Sequence, residues 1–181
     1  LNGGQLRIAA SDTICRYFLV PYLNKFHKLY PNVHIKVTNS TSIDCARILE
    51  NGQVDFIITN YPNSGLLNTH SVRAIREFRD VFVASADHFP LRDKTFTLAE
   101  LLDYPIMMLD RKSTTSEFLH SMFQKSHLDL VPEIELSSND LLIDLARIGL
   151  GIAFVPDFCI PKDEKQLFIL KLSETLPIRQ L

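Results

Sequence analysis

The sequence predicts a two-lobed α/β protein. Three observations carry that expectation: strands and helices alternate along most of the 181 residues, the alternation restarts in the second half, and hydroxyl- or amide-bearing residues recur where strands end and helices begin. The composition agrees. A hydrophobic fraction of 46% and a charged fraction of 22% are globular values. Nineteen Lys and Arg against 21 Asp and Glu leave a net charge of −2, without the basic stripe of a nucleic-acid surface. No apolar run approaches the ~20 residues needed to span a bilayer, and no charged-then-apolar leader is visible. Cys15, Cys45 and Cys159 have no metal-ligand spacing and read as reduced thiols of a cytoplasmic protein.

Leu6–Ala10 is a short apolar run entering the turn Ser11-Asp12-Thr13, which predicts a buried strand. Leu19, Leu23, Phe26 and Tyr30 then recur at helical spacing. Pro21 must lie in that helix's first turn or kink it, and Pro31-Asn32 stops it. Val33, Ile35 and Val37 alternate with His34 and Lys36 as a half-exposed strand. Ile43, Ala46 and Leu49 mark a second helix, ended by Asn51-Gly52. Val54–Thr59 is the third strand. This β-α-β-α-β run has crossovers long enough for parallel pairing, which right-handed connections wind into a sheet covered on both faces.

In the middle, Val72–Arg79 alternates and Asp80–Ser85 is apolar, predicting two extended segments. Thr97 and Glu100 form a capping box, and Thr114 with Glu117 reads as a second one opening a helix with Phe118, Met122 and Phe123 inward. Ile106–Leu109, Ile134–Leu136 and Ile152–Val155 are strands. Ser137-Ser138-Asn139 starts a helix carrying Leu141, Leu142, Leu145 and Ile148, which Gly149-Leu150-Gly151 stops. Leu167–Leu172 is extended, and Pro177–Leu181 looks like a strand beginning.

No catalytic constellation is present: no G-x-S-x-G, no H-E-x-x-H, no paired C-x-x-C. The six histidines are scattered, and Gly3-Gly4 precedes the first strand instead of following it, so it is no phosphate loop. The polar clusters are the informative pattern. Ser11 and Thr13, Ser40–Ser42, Asn60, Ser113–Thr115 and Ser137–Asn139 all fall at predicted strand-to-helix turns. In parallel α/β sheets such turns gather at the carboxyl edge, where ligands bind. Free amides at helix starts favour an anion there. Each residue is equally the preferred N-cap of any helix, so the clusters read both as caps and as the lining of a ligand cleft.

The residues also resemble a known family. Leu6–Ser11 resembles the opening strand of the effector-binding domain of LysR-type transcriptional regulators. Pro21, Phe26 and Tyr30-Pro31-Asn32-Val33 resemble its first helix and second strand, and Asn51–Ile58 its third strand. Val83–Leu91 looks like its D-H-P-L segment with Phe89 inserted, and Ile148–Pro156 resembles its G-x-G-hydrophobic-P signature. The resemblance covers essentially the whole chain. It implies two Rossmann-like lobes in a type 2 periplasmic-binding-protein-like fold, with a small, anionic effector in the cleft between them. The β/α alternation restarts after Val83–Ala86 and returns after Pro156–Phe158, which predicts joining segments there, with lobe I at 1–82 plus 158–181 and lobe II at 83–157. Carried over, the effector-binding residues are Ser11, Thr13, Thr41, Ser42, Asn60, Thr114, Ser138 and Asn139, with no catalytic residue, metal or cofactor. No fixed Arg stands out among them; Arg111 is the one cation close to a strand end. The resemblance further implies a cytoplasmic homodimer or homotetramer, no membrane contact, and DNA binding only through an N-terminal winged helix-turn-helix outside this chain. Broad apolar stripes on the helix ending at Tyr30 (Tyr22, Phe26, Leu29) and on the helix opened by Thr114 (Phe118, Leu119, Met122, Phe123) are the expected contacts between subunits. A transporter's solute-binding protein is the alternative, and an enzyme on the same fold a third reading. A helix-turn-helix in the intact gene would mark the first, and a nucleophile or acid/base pair in the cleft the third.

Overall fold

The computed structural model describes residues 3–181. The chain forms two compact units, one running up to Arg76 and including Gln180–Leu181, the other Glu77–Arg179.

The first unit is built on β1 (Gln5–Ala10), β2 (His34–Asn39) and β3 (Phe56–Ile58), all parallel in the order β2-β1-β3. Ala10 is level with Asn39 on one side and Ile58 on the other, so the three strands end together. The chain leaves β1 into α1 (Asp12–Ile14), a π-helical turn (Cys15–Leu19) and α2 (Val20–Leu29). The π turn sits where Pro21 requires it. A proline in a regular helix lacks the N–H that would reach residue i−4 and its ring crowds that carbonyl. Here Val20 N–H bonds Cys15 O instead, and Pro21 stands at the start of α2. After β2 comes α3 (Ser42–Glu50). Gly52, at φ +69°, closes it: Gly52 N–H reaches Leu49 O and Gln53 N–H reaches Ile48 O, satisfying the last carbonyls. Ala9, Cys45, Ile48 and Val54 form the small core between α3 and the sheet. β3 is shorter than the expected Val54–Thr59. Asp55 is held beside β1 by its own amide on Arg7 O and by its carboxylate, which accepts from Arg7 N–H at 2.8 Å.

The second unit holds a five-stranded sheet in the order β10-β5-β9-β7-β8, comprising β5 (Asp80–Ser85), β7 (Ile106–Leu109), β8 (Ile134–Leu136), β9 (Ile152–Pro156) and β10 (Leu167–Ile169). β7 runs parallel to β8 and β9, while β5 is antiparallel to β9 and β10. Short pairs join β6 (Thr95–Phe96) to β11 (Lys171–Leu172) and β4 (Glu77–Phe78) to β12 (Arg179–Gln180). The helices are α4 (Leu98–Leu101), α5 (Thr114–Lys125) and α6 (Asn139–Arg147), with a 3-10 turn at Asp157–Cys159. Phe82, Phe96, Leu98, Leu101, Met108, Leu119, Phe123, Ile152 and Phe154 are buried in one core. Each such side chain taken from water is worth roughly 1.5–3 kcal/mol.

The expected capping box at Thr97 forms, with Thr97 Oγ1 accepting from Glu100 N–H and Glu100 Oε1 accepting from Thr97 N–H, both at 3.1 Å. The one expected at Thr114 does not: Ser113 is the cap, its Oγ accepting from Ser116 N–H, and Thr114 is the first helical residue. The chain passes between units at 76/77 and 179/180, where the sequence had placed the boundaries at 82/83 and 157/158. The reason is the antiparallel ladder. Asp80–Val83 pairs with β9 and Val83–Ser85 with β10, so these segments and the tail 158–179 belong to the second unit. Within Val72–Arg79 only Glu77–Phe78 is strand. Among the described residues no helix is long and apolar enough to cross a membrane.

Candidate functional site

In the first unit the parallel register brings three polar turns to one sheet edge. Ser11 follows Ala10, Thr41 follows Asn39 by two residues, and Asn60 follows Ile58 by two. Ser11 caps α1, its Oγ accepting from Ile14 N–H at 3.3 Å, and Thr41 caps α3, its Oγ1 accepting from Asp44 N–H at 3.1 Å. A hydroxyl that accepts an amide in this way keeps its own proton to donate. Ser42 is buried, while Thr13 and Asn60 are half-buried. The edge also carries acid. Ser40 Oγ donates to Asp44 Oδ2 at 2.5 Å, and this bond, then Arg47, holds the Asp44 carboxyl below the usual range.

Asn63 organises this edge and was missed from sequence. It is buried, and its Nδ2 donates at 2.8 Å both to Ser42 O and to Thr59 Oγ1, tying the start of α3 to the turn after β3. Gly65 N–H bonds its Oδ1 at 2.9 Å. The only sequence signal is the turn-like run Pro62-Asn63-Ser64-Gly65.

In the second unit Leu109 is level with Leu136, so β7 and β8 also end together. Asp110 N–H on Leu136 O extends the pairing to the turn. Thr114 stands at the start of α5, and Ser138 caps α6 by accepting from Leu141 N–H at 3.1 Å. Thr114 and Asn139 are buried and Ser138 half-buried. The register thus brings Ser11, Thr13, Thr41, Ser42 and Asn60 together at one edge, and Thr114, Ser138 and Asn139 at another.

The same edge of the second unit holds a cation that the sequence did not reveal. Arg179 is 1% exposed, and its Nη1 donates to both Asp80 oxygens, at 3.1 and 3.2 Å. Asp80 pairs with Pro156, the last residue of β9, which places it at the carboxyl end of that parallel strand. Nη1 also donates to Thr115 Oγ1 at 3.2 Å and Nη2 to Thr114 Oγ1 at 3.1 Å. The rings of Phe78 and Phe118 lie 5.3 and 4.9 Å from its guanidinium carbon. Arg111, the cation singled out from sequence, is exposed.

Hydroxyl caps at the carboxyl ends of parallel strands suit ligand binding. The family model described as the LysR substrate binding domain matches residues 1–181. The chain belongs to that family. This LysR substrate binding domain is 28% identical over 155 residues to the HTH-type transcriptional activator CmpR of Synechocystis sp., covering 86% of this chain and 50% of that protein. It spans about half the length of the curated relatives it matches first. Those relatives are transcriptional regulators, not enzymes or transporter components. Among solved structures, the regulatory domain of Synechocystis CcmR in complex with 2-PG superposes with a TM-score of 0.84 at 22% identity, covering 98% of this chain and 85% of that one. The effector binding domain of QuiR in complex with shikimate gives 0.80 at 15% identity, covering 98% and 85%. The fold is therefore that of LysR effector-binding domains, as the resemblance implied.

Proposed function

We propose that this domain senses a small anionic effector at the polar carboxyl edges of its two units, and that a longer regulator converts occupancy into a change at DNA. The observation that carries this reading is the gathering of helix starts with capping hydroxyls at the ends of parallel strands. Helix N-termini offer amides and a positive dipole end, and the caps Ser11 and Thr41 have protons to donate. Solved domains of the same fold carrying 2-PG and shikimate support a small acceptor-rich ligand. Ser11, Thr13, Thr41, Ser42, Asn60, Thr114, Ser138 and Asn139 are the proposed contacts.

The test is thermal melting of the domain with sulfate, inorganic phosphate, 2-PG and shikimate, repeated with Ser11→Ala, Ser42→Ala and Ser138→Ala. A ligand at 100 times its Kd adds about 2.7 kcal/mol to stability. The reading expects at least one anion to raise the melting temperature and the alanine variants to weaken that rise. Flat melting curves with every anion overturn it.

The two units serve as the two lobes of the sensor. DNA is contacted through a winged helix-turn-helix in the longer protein, which the HTH-type names of the relatives support. The protein works in the cytoplasm as a homodimer or homotetramer. Support for self-association comes from α2, where Val20, Tyr22 and Leu29 are exposed. It does not come from α5, whose Leu119 and Phe123 are core.

A further inference from the structure

Asn63 does more than complete a turn. Its amide nitrogen donates twice at 2.8 Å, once to Ser42 O and once to Thr59 Oγ1. Thr59 Oγ1 in turn donates to Asn60 O at 3.0 Å. One chain of hydrogen bonds therefore links the peptide of Ser42, at the start of α3, to the peptide of Asn60, after β3. Both residues are proposed effector contacts, and every member of the link belongs to the first unit. The loop is also pressed against α3. A Cβ on Gly65 would lie 3.0 Å from Ile43 O and 3.1 Å from Ala46 Cβ, so the loop stands nearer the helix than a side chain allows without displacement.

Ser42 is the residue that this link serves. It is 5% exposed, and among the described residues its hydroxyl makes no hydrogen bond. Its Oγ is not sealed from solvent in the way of the partnerless Ser116 Oγ, so a ligand can reach it. Where such a hydroxyl points depends on the backbone beneath it, and the ends of helices are where backbone frays. A buried side chain with all its polar groups engaged fixes one arrangement of the segments it joins. Asn63 is 6% exposed, and its Oδ1 accepts from Gly65 N–H at 2.9 Å, so both ends of its amide are engaged within the protein.

We propose that Asn63 is a positioning residue for the effector site: by tying Ser42 O to the Thr59–Asn60 turn, it holds the Ser42 hydroxyl and Asn60 in one arrangement before a ligand arrives. This rests on the reading of the carboxyl edge as the effector site. Asn63 touches no ligand. Its contribution is affinity, because a segment already ordered need not be ordered on binding.

The test is isothermal titration of the domain with inorganic phosphate, 2-PG and shikimate, with melting in the absence of ligand recorded beside it. Asn63→Leu keeps the size and removes every hydrogen bond, and Thr59→Val keeps the shape and breaks the link at its middle. Ile48→Val, in the core under α3, is the control that trims packing and leaves the link intact. For whichever probe binds the parent, Asn63→Leu is expected to weaken binding about tenfold and Thr59→Val about threefold. Ile48→Val is expected to melt lower and to bind within about twofold of the parent. Because Asn63 acts through Ser42, adding Ser42→Ala to Asn63→Leu is expected to cost much less affinity than Ser42→Ala costs alone. A full Ser42→Ala loss in both backgrounds overturns the proposal. An Asn63→Leu protein that melts lower yet binds like the parent overturns it too, since that is what a merely structural asparagine gives. If Asn63→Leu fails to fold by circular dichroism, Thr59→Val with the same Ser42→Ala comparison decides. Should Ser42→Ala weaken binding while Asn63→Leu and Thr59→Val bind like the parent, this inference fails and the effector-site reading stands. If no anion binds the parent protein, both fail.

Discussion

Replacing Gly149 with alanine tests the packing that ends α6. Gly149 stands at φ +79°, and its N–H bonds Ala146 O while Leu150 N–H bonds Leu145 O, the two bonds that close a helix on a left-handed residue. A non-glycine residue there costs about 1 kcal/mol. The second term is specific to this protein. A Cβ on residue 149 would lie 2.1 Å from Cγ and 2.6 Å from Cβ of His88, so the imidazole must move as a whole. Its Nδ1 is 2.9 Å from the buried Ser85 Oγ, and losing that bond leaves the hydroxyl only the long 3.4 Å bond from His88 N–H, at a cost of about 1–3 kcal/mol. Together the change is expected to cost about 2–4 kcal/mol. Urea unfolding followed by circular dichroism measures it through the midpoint and slope. The double-mutant cycle with His88→Gly, which removes the Cβ as well as the imidazole, separates the terms: in that background Gly149→Ala is expected to cost only the backbone term of about 1 kcal/mol. Equal costs in the two backgrounds would refute the clash.

Three further outcomes are expected. Tyr22→Glu, at a residue 57% exposed on α2, should leave the melting temperature near that of the parent and shift any dimer to monomer in sedimentation, whereas Leu119→Glu should abolish folding of the second unit, because that side chain is 0% exposed; a stable, soluble Leu119→Glu protein contradicts the assigned core. Arg147, bonded at 2.6 Å, holds the Glu164 carboxyl below its usual range. Because the folded pKa is depressed, the stabilisation is fully present above the unfolded value of about 4.3 and is lost as pH falls through the folded one, so Glu164→Gln should cost about 1–2 kcal/mol at pH 7 and progressively less in acid; a pH-independent cost would speak against the pair. Burial pushes the Cys45 thiol up to about 11 and the Cys159 thiol up as well. Iodoacetamide at pH 8 should leave both unmodified in the folded protein and label all three cysteines in urea, as read by mass spectrometry.

What the sequence made legible was local. The Thr97 box, the Gly149 stop and the Ser138 cap are decided within a few residues, short apolar runs located β1, β7 and β9, and alternation of apolar side chains located β2. The start of α5 was placed one residue late. Ser113 and Thr114 are equally good caps by chemistry, and the choice falls to Arg179, which occupies the Thr114 hydroxyl from 65 positions away. The buried pair of Arg179 and Asp80 spans 99 positions and leaves no spacing to read. An aspartate opening an apolar strand was the one clue that a distant cation had to exist. Asn63 escaped for a related reason: a turn residue in sequence became a buried bridge only once α3 and β3 were set side by side.

The π turn at Cys15–Leu19 has a consequence for the helix that follows it. An added residue within one turn advances the angular phase of everything downstream by about 100°. Before and within that step Ile14, Phe18 and Leu19 are buried; downstream, from Val20 to Leu29, no residue is. The phase step thus lets one continuous helix anchor itself by its first half and offer a different face by its second. Deleting a single residue from the turn would wind the helix back, carrying Tyr22 and Leu29 round to another bearing while leaving the composition of the stripe almost unchanged.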